Sequence, residues 1–366
     1  MAGQLPFHAL TIVFAAVRGS DPSPDTLRDL VFVCRSWADA ASFVLYDSVA
    51  LYGGATAALF NRTIGKCPQR AYLVRTLLLA LELDDDAAAG RRGTDEEGRQ
   101  LVKVLAVCPN VVNLALRPLP PSVRPALLAA IASKRLDTLS CAPRLSTPHA
   151  TPFYASDLVS LVQPSLQELE LDCWTSSLDT GGALLPSFPS TLHLTHLKLA
   201  FAGAEKLILR LLAAAQSLEV VYVYIEAMFE DPAALASALM PSATTLRSLT
   251  LKTNPPLEAR PGQQSPYPPA FNRILPHFHQ LDYLSISASE ISPEALRFLP
   301  PSLTHLEIES ITDFPHFDFS SHLFRVLSST SFTLQTLIIH DDGWRVDEAE
   351  AVRIVCAGKG IKFACL

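Results

Sequence analysis

The sequence predicts an α/β solenoid, a curved parallel sheet backed by helices, with a small helical domain at its N-terminal end. Three observations carry that expectation. A spaced aliphatic motif returns along most of the 366 residues, polar residues alternate with apolar ones inside each copy, and residues 1–48 lack the motif altogether. Two domains follow, residues 1–48 and residues 49–366.

The N-terminal stretch begins Leu5-Pro6 and continues with apolar Leu10, Ile12, Val13 and Phe14. A polar break from Gly19 to Asp25 separates these from Leu27, Leu30, Val31 and the run Val33-Cys34-Arg35-Ser36-Trp37. The Leu-Pro start, the apolar first helix and the Val-Cys-Arg-x-Trp segment placed in a last helix resemble an F-box. His8 stands where F-boxes usually carry an acidic residue. What the resemblance implies is an apolar face of Leu5, Pro6, Leu10, Val13, Val33 and Trp37 that docks a Skp-type adaptor of a cullin ubiquitin ligase. The alternative is a plain helical cap, because a solenoid needs its exposed end covered. Leu45 to Leu51 then leads into a first strand, as in fungal F-box proteins with repeats.

Ten copies of the motif Leu-x-x-Leu-x-Leu, or an aliphatic variant, come next. Clear ones are Leu166/Leu169/Leu171, Leu194/Leu197/Leu199, Leu246/Leu249/Leu251, Leu281/Leu284/Ile286, Leu303/Leu306/Ile308 and Leu334/Leu337/Ile339. Weaker ones begin at Val74, Val111, Leu136 and Leu218. Their spacing of roughly 22 to 37 residues resembles that of leucine-rich repeats. Within a copy the last two apolar residues alternate with polar ones, so each strand buries one face and wets the other. Strands covered on both faces would read as continuous apolar runs instead. His196, Lys198, Glu168, Thr250, Ser285, Glu307 and Thr336 are therefore expected to face away from the core.

Leu- and Ala-rich segments between copies, such as 123–131 and 204–212, predict helices, since these residues cost least in helix formation. Pro109, Pro164, Pro189, Pro241 and Pro301 precede copies by a few residues and act as stop signals. Three insertions are expected as loops: Asp84 to Arg99, Cys173 to Thr191 and Asn254 to Pro269. An asparagine three residues after the last leucine occurs at Asn254 alone, the other copies holding residues such as Trp174, Ala202, Glu226 or Ser289. A looser horseshoe of variable repeat length is therefore expected in place of one with a regular asparagine ladder.

A net charge of −7 lacks the basic footprint of non-specific nucleic-acid binding. No apolar run approaches the ~20 residues of a membrane span. The apolar stretch from Ala9 to Val17 follows Pro6 with no Lys or Arg before it, unlike a secretory signal. Seven cysteines show no CxxC pairs, and reduced thiols in the cytoplasm or nucleus fit that scatter. Asn61-Arg62-Thr63 is a glycosylation sequon in form only.

No GxSxG elbow, phosphate loop or HExxH helix occurs, so neither an enzyme nor a cofactor is expected. His305, Glu307 and Glu309 alternate along one strand and offer metal-ligating groups, but a solvated strand face is the expectation there. On the open face Glu168, Glu170 and Asp172 form an acidic ladder near Tyr222 and Tyr224, a pattern suited to a basic peptide. Phe201 and Lys252 are expected on the same face, and the two tyrosines equally well pack on each other. The resemblance implies a ligase adaptor that binds a Skp-type subunit and an unknown protein substrate, with no nucleic-acid or membrane partner. The alternative is a repeat scaffold with no ligase link.

Overall fold

Each copy of the aliphatic motif folds in one way. Its first apolar residue is buried in a turn, and its second and third lie on the core side of a short strand. The structure, a computed structural model, describes residues 6–20, 24–81, 95–117, 119–141, 157–173, 188–189, 192–201, 205–225, 232–253, 274–287, 297–309, 323–324, 327–328, 333–340 and 346–366. The chain divides into two compact units, Met1–Phe153 and Tyr154–Leu366.

The first unit opens with three helices, α1 (Phe7–Ser20), α2 (Pro24–Leu30) and α3 (Arg35–Asp47). They close on a core of Leu10, Phe14, Leu27, Ala40, Ala41 and Val44. Trp37 meets Phe14 edge-on, with centroids 5.4 Å apart, the favoured arrangement of an aromatic pair. Arg18 ties the helices to the sheet by donating to the carbonyls of Val44 (2.6 Å) and Ser48 (2.7 Å).

Strands β1 (Ser48–Tyr52), β2 (Thr76–Ala80), β3 (Asn113–Leu116) and β4 (Thr138–Cys141) follow, parallel and in chain order. Their connections carry α4 (Gly53–Lys66), α5 (Asp95–Val107) and α6 (Arg124–Ala132). Gly53, at φ 77°, makes the turn from β1 into α4, where a side chain would be strained. On the open face Thr138 donates to Asn113 (3.0 Å) and Asn113 to Thr76 (3.2 Å), so the polar ladder satisfies itself.

The second unit carries β5 (Glu168–Cys173), β6 (His196–Phe201), β7 (Val220–Ile225), β8 (Ser248–Thr253), β9 (Tyr283–Ser287), β10 (His305–Glu309), β11 (Thr336–His340) and β12 (Lys362–Cys365). These too are parallel and sequential. Its helices are α7 (Leu158–Leu161), α8 (Glu205–Ala214), α9 (Pro232–Leu239) and α10 (Val346–Gly358).

One hydrogen-bond arrangement sets the register. Just before β3, β4 and each of β6 to β11, a single carbonyl of the preceding repeat accepts two successive N–H groups. The Thr195 carbonyl takes Glu219 (2.8 Å) and Val220 (3.0 Å), that of Glu219 takes Arg247 (2.8 Å) and Ser248 (3.0 Å), and that of Asp282 takes Thr304 and His305 (both 2.9 Å). Leu169, Leu197, Val221, Leu249, Leu284, Leu306 and Leu337 are thereby aligned in one buried row. A hydroxyl preceding the first leucine adds a second ladder. Thr245 donates to the Leu218 carbonyl (2.8 Å), Ser302 to that of Leu281 (2.7 Å) and Thr333 to that of Leu303 (3.1 Å). These hydroxyls satisfy turn carbonyls of the preceding repeat.

Four details depart from the sequence reading. The insertion expected as a loop through Arg99 is helical from Asp95, because Asp95, Glu96 and Glu97 fill the first turn of α5, where carboxylates favour the positive end of the helix dipole. Val33 and Cys34 precede α3 instead of lying within it. Phe201 pairs with Ile225, in the row that alternates with the open face. Thr250 and Ser285 are buried although they stand on the open side, in a row between the longer Tyr222 and Glu307. The insertions at 174–187 and 254–273 lie outside the described residues.

Lys134 is buried and donates to the Cys108 carbonyl (2.9 Å) beyond the end of α5. Burial pushes the thiols of Cys108 and Cys356 up to about 11. Cys34 is exposed, and hydrogen bonding to the Ser36 side chain, then to the Trp37 backbone, holds its thiol below the ordinary value. Cys34, Cys67, Cys108, Cys141, Cys356 and Cys365 are all present as thiols. Iodoacetamide on the native protein should therefore alkylate Cys34, Cys67 and Cys365, with Cys34 reacting fastest, and spare Cys108, Cys141 and Cys356 until unfolding. Mass spectrometry that finds the buried three labelled at temperatures below the melting transition would contradict this packing.

Candidate functional site

Two surfaces hold the residues singled out from the sequence. On the N-terminal helices, Val13 is 49% exposed and Val33 57%, while Pro6 is also exposed. Trp37 is half-buried against Phe14. Leu10 is the correction: at 2% exposure it belongs to the core, one helical turn before Phe14 and on the same stripe of α1. Leu5 lies outside the described residues. Phe7, Ile12 and Phe32, absent from the expected set, are also exposed, with Phe32 at 81%.

The second surface is the open face of the second unit, where strand alternation lays side chains in rows. One row runs Glu170, Lys198, Tyr222, Thr250, Ser285, Glu307, Ile338. The next contains Asp172, Ala200, Tyr224 and Lys252 on β5–β8, and Ser287, Glu309 and His340 on β9–β11. Glu168 is exposed at the head of β5, and nothing is described of the Asp172 side chain. Glu170 accepts from Lys198 at 2.6 Å, and the same ammonium lies 5.7 Å from the Tyr222 ring centroid. The expected acidic ladder is thus partly neutralised from the neighbouring strand. Tyr222 and Tyr224 are both half-buried.

A tighter cluster lies on β8–β11. Lys252 reaches across β9 to pair with Glu309 two strands away, a span of roughly 10 Å at the usual strand spacing. Only small side chains beneath allow this, Ser287 between the two and Ser285 beside it. Tyr283 donates to Glu307 Oε2 at 2.5 Å, while Glu307 Oε1 lies 2.7 Å from His340 Nε2. Burial works to raise the Glu307 carboxyl, but the bonds from Tyr283 and His340 and the charge of Lys252 outweigh it and hold the group below its ordinary value. For Lys252 burial acts downward, and the bond to Glu309 and the nearby carboxylates more than reverse it. His305, by contrast, is exposed and bonds to its neighbour Thr304 (2.8 Å). His340 therefore takes the place beside Glu307 that the strand alternation suggested for His305.

Sequence reasoning passed over Tyr283 and the Lys252–Glu309 pair. The signal was present in the aligned copies, where the position after the last core residue reads Lys252, Ser287, Glu309, His340. A small residue between a cation and an anion marks a bridge across one strand. Comparison of the chain with models of known protein families and with curated proteins finds no match in either.

The Tyr283 hydroxyl is pushed up to about 12, first by burial and then by its bond to Glu307. The folded state holds this proton more tightly than an unfolded chain, whose tyrosine titrates at about 10. The resulting stability is complete below pH ~10 and is lost as pH rises toward ~12. Urea denaturation across that range should show a shallower loss for Tyr283→Phe than for the parent. Equal slopes in the two proteins would remove Glu307 as the acceptor.

Proposed function

We propose that the chain is a substrate-recognition subunit of a cullin-type ubiquitin ligase. In this reading the N-terminal helices bind a Skp-type adaptor, the open sheet face binds a protein substrate, and neither surface performs chemistry. The observation that carries the reading is the exposure of Ile12, Val13, Phe32 and Val33 on a helical segment that already has its own aromatic core. Exposed apolar side chains concentrated on so small an element mark an interaction surface. The Leu-Pro start and the Val33 to Trp37 run supply the resemblance that names the partner. Ubiquitin transfer would take place on other subunits, in the cytoplasm or nucleus. No helix among the described residues is long and apolar enough to cross a membrane.

The test is capture of a purified Skp-type adaptor by the full chain and by Val13→Asp with Val33→Asp. Both positions are exposed, so the variant should melt within about 2 °C of the parent. Capture should fall by more than about tenfold, the scale of an interface hot spot. Failure of the parent to capture the adaptor would leave the helices as a cap on the sheet.

For the substrate side, Tyr222→Ala and Glu168→Lys should each reduce recovery of the same partner proteins from cell extract while adaptor capture is unchanged. The half-buried Tyr222 ring, with Lys198 over it, is the anchor, and exposed Glu168 contributes selection for a basic partner. Undiminished recovery with both variants would move the substrate surface away from β5–β7.

A further inference from the structure

Glu307, Glu309 and His340 bring a carboxylate oxygen, a second carboxylate oxygen and an imidazole nitrogen within 4.8 Å of one another. No other three His, Cys, Asp or Glu among the described residues do so. They sit on adjacent strands in fixed register, Glu307 beside Ile338 and Glu309 beside His340, so the geometry comes from the sheet and not from a loop. A second, independent feature lies against them. Ser285, in register with Glu307 on β9, is fully buried, and its hydroxyl makes no hydrogen bond. It lies near the Tyr283 phenol but outside bonding geometry. An unpartnered hydroxyl at the floor of a charged cluster is a group with a donor and acceptor to spare.

We propose that Glu307, Glu309 and His340 form a zinc site on the open face, with Lys252 as the competing cation. The donor set decides the metal. One imidazole and two carboxylates suit zinc, which binds such groups at about 2.0–2.2 Å and keeps a fourth position open when the protein supplies three ligands. Calcium calls for six to eight oxygens, and magnesium prefers water and carboxylate to imidazole. Donors around a tetrahedral zinc ion lie about 3.4 Å apart, so closing the triangle takes a movement of about 1.5 Å shared between two flexible Glu side chains. Tyr283 holds Glu307 Oε2 and leaves Oε1 turned toward His340, the role an outer-shell hydrogen bond plays for a ligating carboxylate. The Ser285 hydroxyl stands in register with Glu307 as a spare polar group beside the site. The Lys252 ammonium already neutralises Glu309, so zinc must displace it. The site stands independently of the ligase reading.

The experiment uses the full chain, stripped with a chelator and dialysed. Titration with zinc chloride in a calorimeter should show one strong equivalent, and Co2+ in its place should give the visible absorption of a four- or five-coordinate ion. His340→Gln and Glu309→Gln should each weaken zinc binding by about tenfold or more and abolish the Co2+ band, with the melting temperature as a folding control. Lys252→Met, which keeps the length of the side chain and removes the competing charge, should strengthen binding by about tenfold. Absence of a strong equivalent in the parent overturns the proposal. So does zinc binding that persists unchanged in both ligand variants, which would assign it to the exposed thiols, or a Lys252→Met variant that binds no more tightly than the parent.

Discussion

The structure depends on a shared carbonyl. Before eight of the strands one backbone oxygen of the preceding repeat accepts two consecutive N–H groups, as at Thr195, Glu219 and Asp282. Because a slip of one residue would turn every leucine of a strand outward, this contact decides which side of the sheet is dry. Once it is made, Leu197, Val221, Leu249 and Leu284 have no choice but to stack in a row. The polar residues between them are equally obliged to share the opposite face. Core and candidate site are two readings of one register.

That dependence explains what was legible in the sequence. Strands were legible because three apolar residues per copy are enough to announce the shared pattern, even where Val111 or Leu136 replaces the clearer motif. The helical role of Asp95 to Glu97 was not, since a charged cluster reads alike in a loop and in a first helical turn. Leu10 and Val13 could not be sorted by hydropathy alone. Three residues apart on one helix, the first faces Phe14 and the core and the second faces solvent. On the sheet, Glu168, Glu170, Tyr222 and Tyr224 were placed on the open face correctly, because alternation is a rule of the backbone. Which side chains meet there depends on neighbours in other repeats, and Lys252 and Glu309 are 57 positions apart.

The open face is consequently not uniform. Around β5 and β6 it is wet, and the exposed Lys198–Glu170 pair is worth about 0–1 kcal/mol in such a setting. Around β8 to β11 Thr250, Ser285 and Ser287 are buried, Tyr283, Lys252, Glu307 and Glu309 are half-buried, and the same kinds of charge are partly dehydrated. Electrostatic interactions gain strength there, and an unmet hydroxyl such as that of Ser285 carries a real cost. One continuous polar surface thus contains a solvated half and a preorganised half.

The hydroxyl ladder has a consequence for how the chain tolerates change. Ser217, Thr245, Ser302 and Thr333 make their bonds immediately ahead of the first leucine, and the shared carbonyl acts a few residues later. The bonds that set the register of one repeat against its neighbour are therefore concentrated in one short window of sequence. The remainder of each repeat is free to lengthen, because doubling a connection adds only about 0.6 kcal/mol of closure entropy. Copies as close as Leu281 and Leu303, or as far apart as Leu246 and Leu281, meet the same geometric requirement. Drift in repeat length is in this sense neutral for the sheet, and new sequence can accumulate after a strand without the leucines ever losing count.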